Sequence, residues 1–455
     1  MAEHLLALDL GTTGVRALVV HADGQVRSRA WQPLGVETPL PGRVEQDPGE
    51  MWKRSLAVMR EALGEAGLSA VDVAGLGVVN QRATVIAWDS DTGEALVPAL
   101  GWQDVRTADR VAELASQGIP VNTMASCTKF EWLVANAPEV SSALRRGKLR
   151  LGTPETWITW KLTRGEAFVT EPGNATCTGL FDPEESAEEV SAFLLNMMLD
   201  RSPGLLGLFG LEADCFSDIA STAEVVGVTP VDLLGAPVPV SARAGDQQAA
   251  CFAQSVHAPG QSKLTMGTSA MLDVHAGTEF RAAPEGSLPL PLWKFPDAPC
   301  EYCFEGVVVT AGATFDWLVG LGLLSQTSGL DGALDDQEST GGVFFVPALQ
   351  GLGTPFLDDG ARGIFGGLTR GSDAGHLVRA AAEGVVHRCV DVVEALVSEK
   401  GPIRVDGGVG QSRAVIQLLA DLSGREVHRA RETETTALGA AFLASLAVGL
   451  LDSTG

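Results

Sequence analysis

Apolar residues come in short runs at the start of the chain. Residues 5–10 are apolar but for Asp9 and are closed by Gly11, and residues 15–20 form a second run. Runs of this length bounded by glycine read as strands. Asp23-Gly24 is a strong hairpin turn ahead of a third run at 25–31, so the chain opens as a meander whose first turn is Gly11-Thr12-Thr13-Gly14. Residues 51–66 then carry helical spacing. Residues 74–79 predict a strand ending in Asn80-Gln81-Arg82, followed by a strand over 84–88 and helices over 105–116 and 155–162. After the midpoint the pattern resumes. A strand at 237–240 runs towards Ala244-Gly245-Asp246, and 247–254 predicts a helix of small residues. Strands at 263–266 and 270–275 flank Gly267-Thr268-Ser269, and helices follow over 311–320 and 376–400. A strand at 403–405 enters Asp406-Gly407-Gly408, with a helix over 412–422.

Each half therefore holds a strand, a small or hydroxyl-bearing turn and a second strand, with helices of the crossover kind. That predicts an α/β fold of two domains, 1–245 and 246–455, joined near residues 241–245, with a cleft between them.

Composition narrows the function. Of 455 residues, 32 are basic and 57 acidic, a net charge of −25. Such a surface repels phosphate backbones and anionic headgroups, so neither nucleic acid nor a membrane surface is an expected partner. A small anionic ligand is still allowed, because backbone N–H groups and a metal ion can hold phosphates locally. Seven cysteines show no framework spacing, and the lone pair Cys300/Cys303 lacks a second pair, so reduced structural thiols are expected. The first ten residues have no basic region, and the longest apolar stretch, 437–451, is shorter than the roughly 20 residues of a membrane span. A buried helix and a cytoplasmic protein are expected. A homo-oligomer is compatible with the sequence.

Three turns carry candidate chemistry. Asp9, at a strand end, can organise the hydration shell of Mg²⁺. The turn Thr12-Thr13-Gly14 offers backbone N–H groups and hydroxyls to terminal phosphates, and Arg16 adds positive charge beside a transferring phosphoryl group. No lysine follows and a strand comes next, so this is not a Walker-type loop. Gly267-Thr268 repeats the turn chemistry after the midpoint, and Gly407-Gly408 permits close approach of backbone to a flat ligand.

In this order the three turns resemble the ATP clamp of the actin-like (ribonuclease H-like) superfamily. The chain as a whole resembles the FGGY family of carbohydrate kinases, with its glycerol kinase branch as the nearest pattern. The stretches LALDLGTTGVRALVV, GRVEQDP, VNQRAT, GWQDVRTAD, GTPETWITWKLT, AGDQQAA, MGTS, GLGTPF, ARGIFGGLTRG, RVDGGVG and TTALGAAFLASLAVG carry the resemblance over nearly the whole chain. It implies two actin-like domains, ATP with Mg²⁺, and transfer of the γ-phosphoryl to a hydroxyl of a small polyol or sugar. Residue by residue, it places Thr12, Thr13 and Gly14 at the phosphates, Thr268, Gly312 and Gly408 around the nucleotide, and Asp9 at Mg²⁺. Asp246 matches the catalytic base and Gln247 its substrate-contacting neighbour, while Arg82 and Trp102 match polyol contacts.

Four positions depart from the glycerol kinase pattern. Ala83 stands where a glutamate follows the arginine, Met124 where a tyrosine precedes the SGTK stretch, Met271 where a phenylalanine follows the GT turn, and Ser412 where a nucleotide-side asparagine follows DGG. A hydrogen bond from a hydroxyl to a carboxylate is worth about 1.5–3 kcal/mol, so the missing glutamate weakens glycerol binding by roughly 10- to 100-fold unless compensated. A roomier, less polar pocket favours a longer polyol, a ketose or a substituted glycerol. The short turn at residues 234–237 predicts no sugar-phosphate regulation through that loop. The competing expectation is a degenerate member that binds ATP or polyol without efficient turnover.

Overall fold

A computed structural model describes residues 2–119, 121–178, 203–358 and 360–451. The chain divides into two units. The first comprises Met1–Ala253, Pro291–Glu301 and Thr436–Gly455, and the second Gln254–Leu290 and Tyr302–Thr435.

The first unit is built on a six-stranded sheet of β1 (His4–Leu10), β2 (Gly14–His21), β3 (Val26–Pro33), β4 (Val73–Asn80), β5 (Ala223–Val228) and β6 (Pro239–Gly245). Its order is β5-β6-β4-β1-β2-β3. The meander pairs antiparallel, whereas β4 runs parallel to both β1 and β6. Helix α1 (Pro48–Glu65) starts at Asp47, whose side chain accepts from the N–H groups of Gly49 and Glu50, with Pro48 in the first turn where no N–H is needed. Its buried side, Met51, Val58, Met59 and Ala62, packs with Leu6, Leu8, Leu10, Val15, Ala17 and Val19 of the sheet. Side chains alternate along a strand, so Asp9 and Arg16 point to the other face. There the C-terminal helix, Thr435–Ala447, lies against β4: a Cβ on Gly77 would stand 2.2 Å from the carbonyl oxygen of Ala440. Only glycine permits that approach.

A second six-stranded sheet is formed by β7 (Ser262–Met266), β8 (Ala270–Gly277), β9 (Leu288–Lys294), β10 (Cys300–Val308), β11 (Ile403–Asp406) and β12 (Val427–Arg429) in the order β9-β10-β8-β7-β11-β12; residues 291–301, the end of β9 and the start of β10, are counted with the first unit and the rest with the second. Leu264, Met266, Leu272, Val274, Ile403 and Val405 form one apolar face, packed by a long helix, Ala374–Leu396, through Ala381, Val385, Cys389 and Val393. The opposite face carries a row of charge. Arg404, Lys263, Asp273 and Glu305 stand directly opposite one another on β11, β7, β8 and β10. Lys263 Nζ lies 2.9 Å from Asp273 Oδ2, with both side chains buried.

The division differs from the expected boundary at 245/246. Helix α3 (Asp246–Ala253) stays with the first unit, and 291–301 and 436–455 return to it. The cause is packing that periodicity does not reveal: the C-terminal helix sits so close to α3 that a Cβ on Gly439 would overlap the carbonyl of Ala249. Strand β6 runs to Gly245, five residues beyond the expected end, and the helix expected over 376–400 stops at Leu396. Cys300 and Cys303 are buried thiols of β10. Among the described residues no helix is long and apolar enough to cross a membrane.

Candidate active site

Three parallel strands of the first unit end in one row. Leu10 of β1 lies opposite Asn80 of β4, and Asn80 opposite Gly245 of β6. The turns leaving that row are 11–14, 81–83 and 246–247, so residues far apart in sequence meet where parallel sheets present ligand-binding loops.

Arg16 stands across the hairpin from Asp9, its Nη1 3.3 Å from Asp9 Oδ2, and Asp9 is buried. The turn between them is tied inwards. The Gly11 N–H donates to the Gly14 carbonyl at 3.0 Å and the Leu34 N–H to the Thr13 carbonyl at 3.0 Å. The Thr12 carbonyl accepts from Gln46 Nε2 at 2.7 Å, and Gln46 Oε1 accepts from Gln81 Nε2 at 2.6 Å. Trp102 Nε1 donates to Thr12 Oγ1 at 3.1 Å. With its carbonyls engaged inside the protein, the turn offers an anion its amides.

Arg82 Nε lies 3.4 Å from Asp246 Oδ1, which also accepts from the Gln247 N–H at 2.9 Å. The Asp246 side chain is 33% exposed, so a substrate hydroxyl has access to it. Gly245 sets this pair. A Cβ there would fall 2.6 Å from Arg82 Cδ and 2.5 Å from Gln248 Oε1. Gly245→Ala is therefore expected to displace the Arg82 stem and raise the KM of the acceptor about 10-fold, the loss of one charge-assisted hydrogen bond. The KM of ATP stays unchanged. Initial rates with each substrate varied in turn check this.

Ala83 adopts a left-handed backbone, with φ of 62°. Its carbonyl accepts from Ser126 Oγ at 3.3 Å and from the buried Lys129 Nζ at 3.5 Å. Both donors belong to α2 (Ser126–Asn136). Met124 precedes that helix and is 39% exposed, its N–H donating to Asn122 Oδ1 at 2.9 Å.

In the second unit, the turn of Gly267 and Thr268 meets α4 (Gly312–Gly320). The Gly312 N–H donates to the Gly267 carbonyl at 2.8 Å, and the N–H groups of Ala311 and Ala313 donate to the Thr268 carbonyl at 3.0 and 3.1 Å. A Cβ on Gly312 would lie 2.5 Å from Gly267 O. Gly407 packs against the Met266 backbone, whereas a Cβ on Gly408 would meet open space. Thr268, Gly312 and Gly408 thus gather about the end of β7. Met271 lies on β8 opposite Thr265 and Val307. Ser412 caps a helix: its hydroxyl donates to Asp331 Oδ1 and accepts from the Val415 N–H of Arg413–Ser423. Asp331 also takes the Ala414 N–H at 3.0 Å, and these bonds hold its carboxyl below the usual range against the opposing effect of burial.

Sequence reasoning gave no role to Gln46, Gln81, Lys129 or Asp331. Gln46 and Gln81 sit inside quoted stretches, where their signal is a polar side chain next to residues with assigned roles, and Lys129 lies five residues after Met124. Asp331 carries no comparable signal.

Two family descriptions match the chain: the N-terminal domain of the FGGY family of carbohydrate kinases over residues 4–253, and its C-terminal domain over 263–448. The chain is 39% identical to the glycerol kinase of Aromatoleum aromaticum, across 98% of this chain and 90% of that protein. It is 37% identical to that of Citrifermentans bemidjiense, across 99% and 92%. Among solved structures, Plasmodium falciparum glycerol kinase with ADP gives a TM-score of 0.89 at 27% identity, covering 99% of this chain and 90% of that one. A xylulose kinase from Lactobacillus acidophilus gives 0.85 at 21% identity with the same coverage, a likeness of fold.

Proposed function

This chain belongs to the FGGY family of carbohydrate kinases and phosphorylates a polyol or sugar with ATP, and on that premise we propose that its acceptor is glycerol or a related, larger polyol or ketose. The observation that carries the proposal is the Arg82–Asp246 pair, 3.4 Å apart at the shared end of three parallel strands. Arg82 holds an acceptor hydroxyl, Gln247 contacts its neighbour, and Trp102 forms an apolar wall beside them. Asp246 accepts the hydroxyl proton as the oxygen attacks the γ-phosphorus, and ADP departs. Such a base is worth about 10²–10⁴ in rate. Phosphoryl transfer otherwise asks for positioning and neutralisation of charge. The amides of Thr12, Thr13 and Gly14 hold the phosphates and Arg16 faces the transferring group. Thr268, Gly312 and Gly408 hold the rest of the nucleotide, with Ser412 at its edge.

Mg²⁺ fits Asp9. A single buried carboxylate at a strand end suits an ion that keeps most of its waters rather than an all-protein cage. When bound, the ion neutralises charge on the phosphate oxygens. A member without turnover has no observation in its favour.

Ala83 and Met124 set the acceptor range. They replace polar or rigid groups, so longer or substituted polyols are accepted beside glycerol. ADP release with ATP–Mg²⁺, measured across glycerol, C4–C6 polyols, ketoses and dihydroxyacetone, tests this. Silence across the whole panel sinks it. Ala83→Glu is expected to lower the KM of glycerol by about 10-fold, because a carboxylate accepting from a hydroxyl contributes about 1.5–3 kcal/mol, and to raise that of longer polyols.

A further inference from the structure

Lys129 is a full ammonium side chain with no exposed surface, yet its surroundings are apolar. Its helix packs Cys127, Phe130 and Leu133 against Val85 and Leu100. Burying an ammonium costs heavily unless its protons find oxygens. The oxygens it finds are backbone carbonyls: that of Ala83 at 3.5 Å and that of Trp102 at 3.3 Å. Both carbonyls belong to residues flanking the acceptor in the reading above. One is the left-handed Ala83, directly after Arg82. The other is Trp102, whose N–H donates to Thr84 Oγ1 at 3.1 Å and whose indole donates to Thr12.

We propose that Lys129 is the positioning residue of the acceptor subsite: its ammonium ties the peptides of Ala83 and Trp102 together and so fixes Arg82 and the indole wall against the polyol. The proposal rests on the assignment of Arg82 and Trp102 to the acceptor side. A core-filling role alone would be met by methionine, which has similar length and no cost of burying charge.

The charged and titratable groups around the ammonium are Asp104 and Arg106, from the loop after Trp102, and Cys127 on its own helix. Asp104 is bound by Arg106 at 2.7 and 2.9 Å and by the Val44 N–H at 2.7 Å. Burial pushes the Cys127 thiol up to about 12, so it stays neutral. Burial likewise pushes Lys129 down to about 8; Asp104 opposes that fall and Arg106 adds to it. The ammonium is therefore complete below pH 8 and is lost as pH rises through it.

The test uses the full chain and whichever acceptor the panel identifies, so a failure of glycerol leaves it standing. In Lys129→Met the acceptor KM is expected to rise at least about 10-fold, with the KM of ATP within about twofold of wild type. In wild type the acceptor KM rises above about pH 8 while that of ATP does not, and the variant lacks this alkaline limb. An acceptor KM within twofold of wild type, or equal rises for both substrates, overturns the proposal. If the methionine variant does not fold, Lys129→Leu is read by the same two KM values and decides in its place.

Discussion

Asp246→Asn is expected to lower kcat by about 10²–10⁴ and to leave nucleotide binding intact. The amide keeps the shape of the carboxylate and can still meet Arg82, but it cannot take a proton from an attacking hydroxyl. Asp246 and the phosphate turn belong to separate strand ends, and the turn is held by Gln46, Gln81 and Trp102 rather than by Asp246. Phosphorylation and ADP affinity should therefore separate. Steady-state rates with the identified acceptor, beside a titration of ADP by calorimetry, measure the two. Undiminished turnover would remove Asp246 as the base.

Lys263→Met is expected to destabilise the second unit by about 3–5 kcal/mol, because it leaves Asp273 buried beside Glu305 without its cation. The row runs two positive side chains and then two negative across adjacent strands, so Asp273 and Glu305 already stand side by side, and removing Lys263 takes away the neighbouring cation that offsets their repulsion. Replacing both partners, as in Lys263→Met with Asp273→Leu, should recover most of the loss, since a buried ion pair often contributes little net stability over well-packed apolar residues. Urea titration followed by fluorescence gives the midpoints. A double variant as weak as the single one would mean that Lys263 acts through partners other than Asp273.

The two-domain α/β fold and most of its strands were legible from short apolar runs and their glycine turns. The positions of the candidate anchors, Asp9, the Thr12 turn, Arg82 and Asp246, were legible for a related reason: each lies at or just past a strand end, where a polar residue interrupts an apolar run. What holds those anchors was not. Gln46 reaches Thr12, and Lys129 reaches Ala83 and Trp102, across long stretches of sequence. No periodicity encodes a contact between a helix and a distant turn. Ser412 reads as a site residue from its place after Gly407-Gly408, and the structure gives its hydroxyl to the cap of a helix through Asp331. The division into units departs from the expected boundary for a third reason. A domain made of three separate segments leaves no single composition change to find.

That division has a consequence for biosynthesis. The sheet of the first unit is half made once β3 has emerged, and β6 is present by Gly245, yet the helix that covers Gly77 comes from residues 435–447. At about 5–20 residues per second, the ribosome needs roughly 10 to 40 s to pass from residue 253 to residue 436. Through that interval the face of the nascent sheet that carries Gly77 lacks its covering helix. The second unit, whose own segments lie almost wholly inside it, is the part that can finish first, and the half of the protein translated earliest completes its core last.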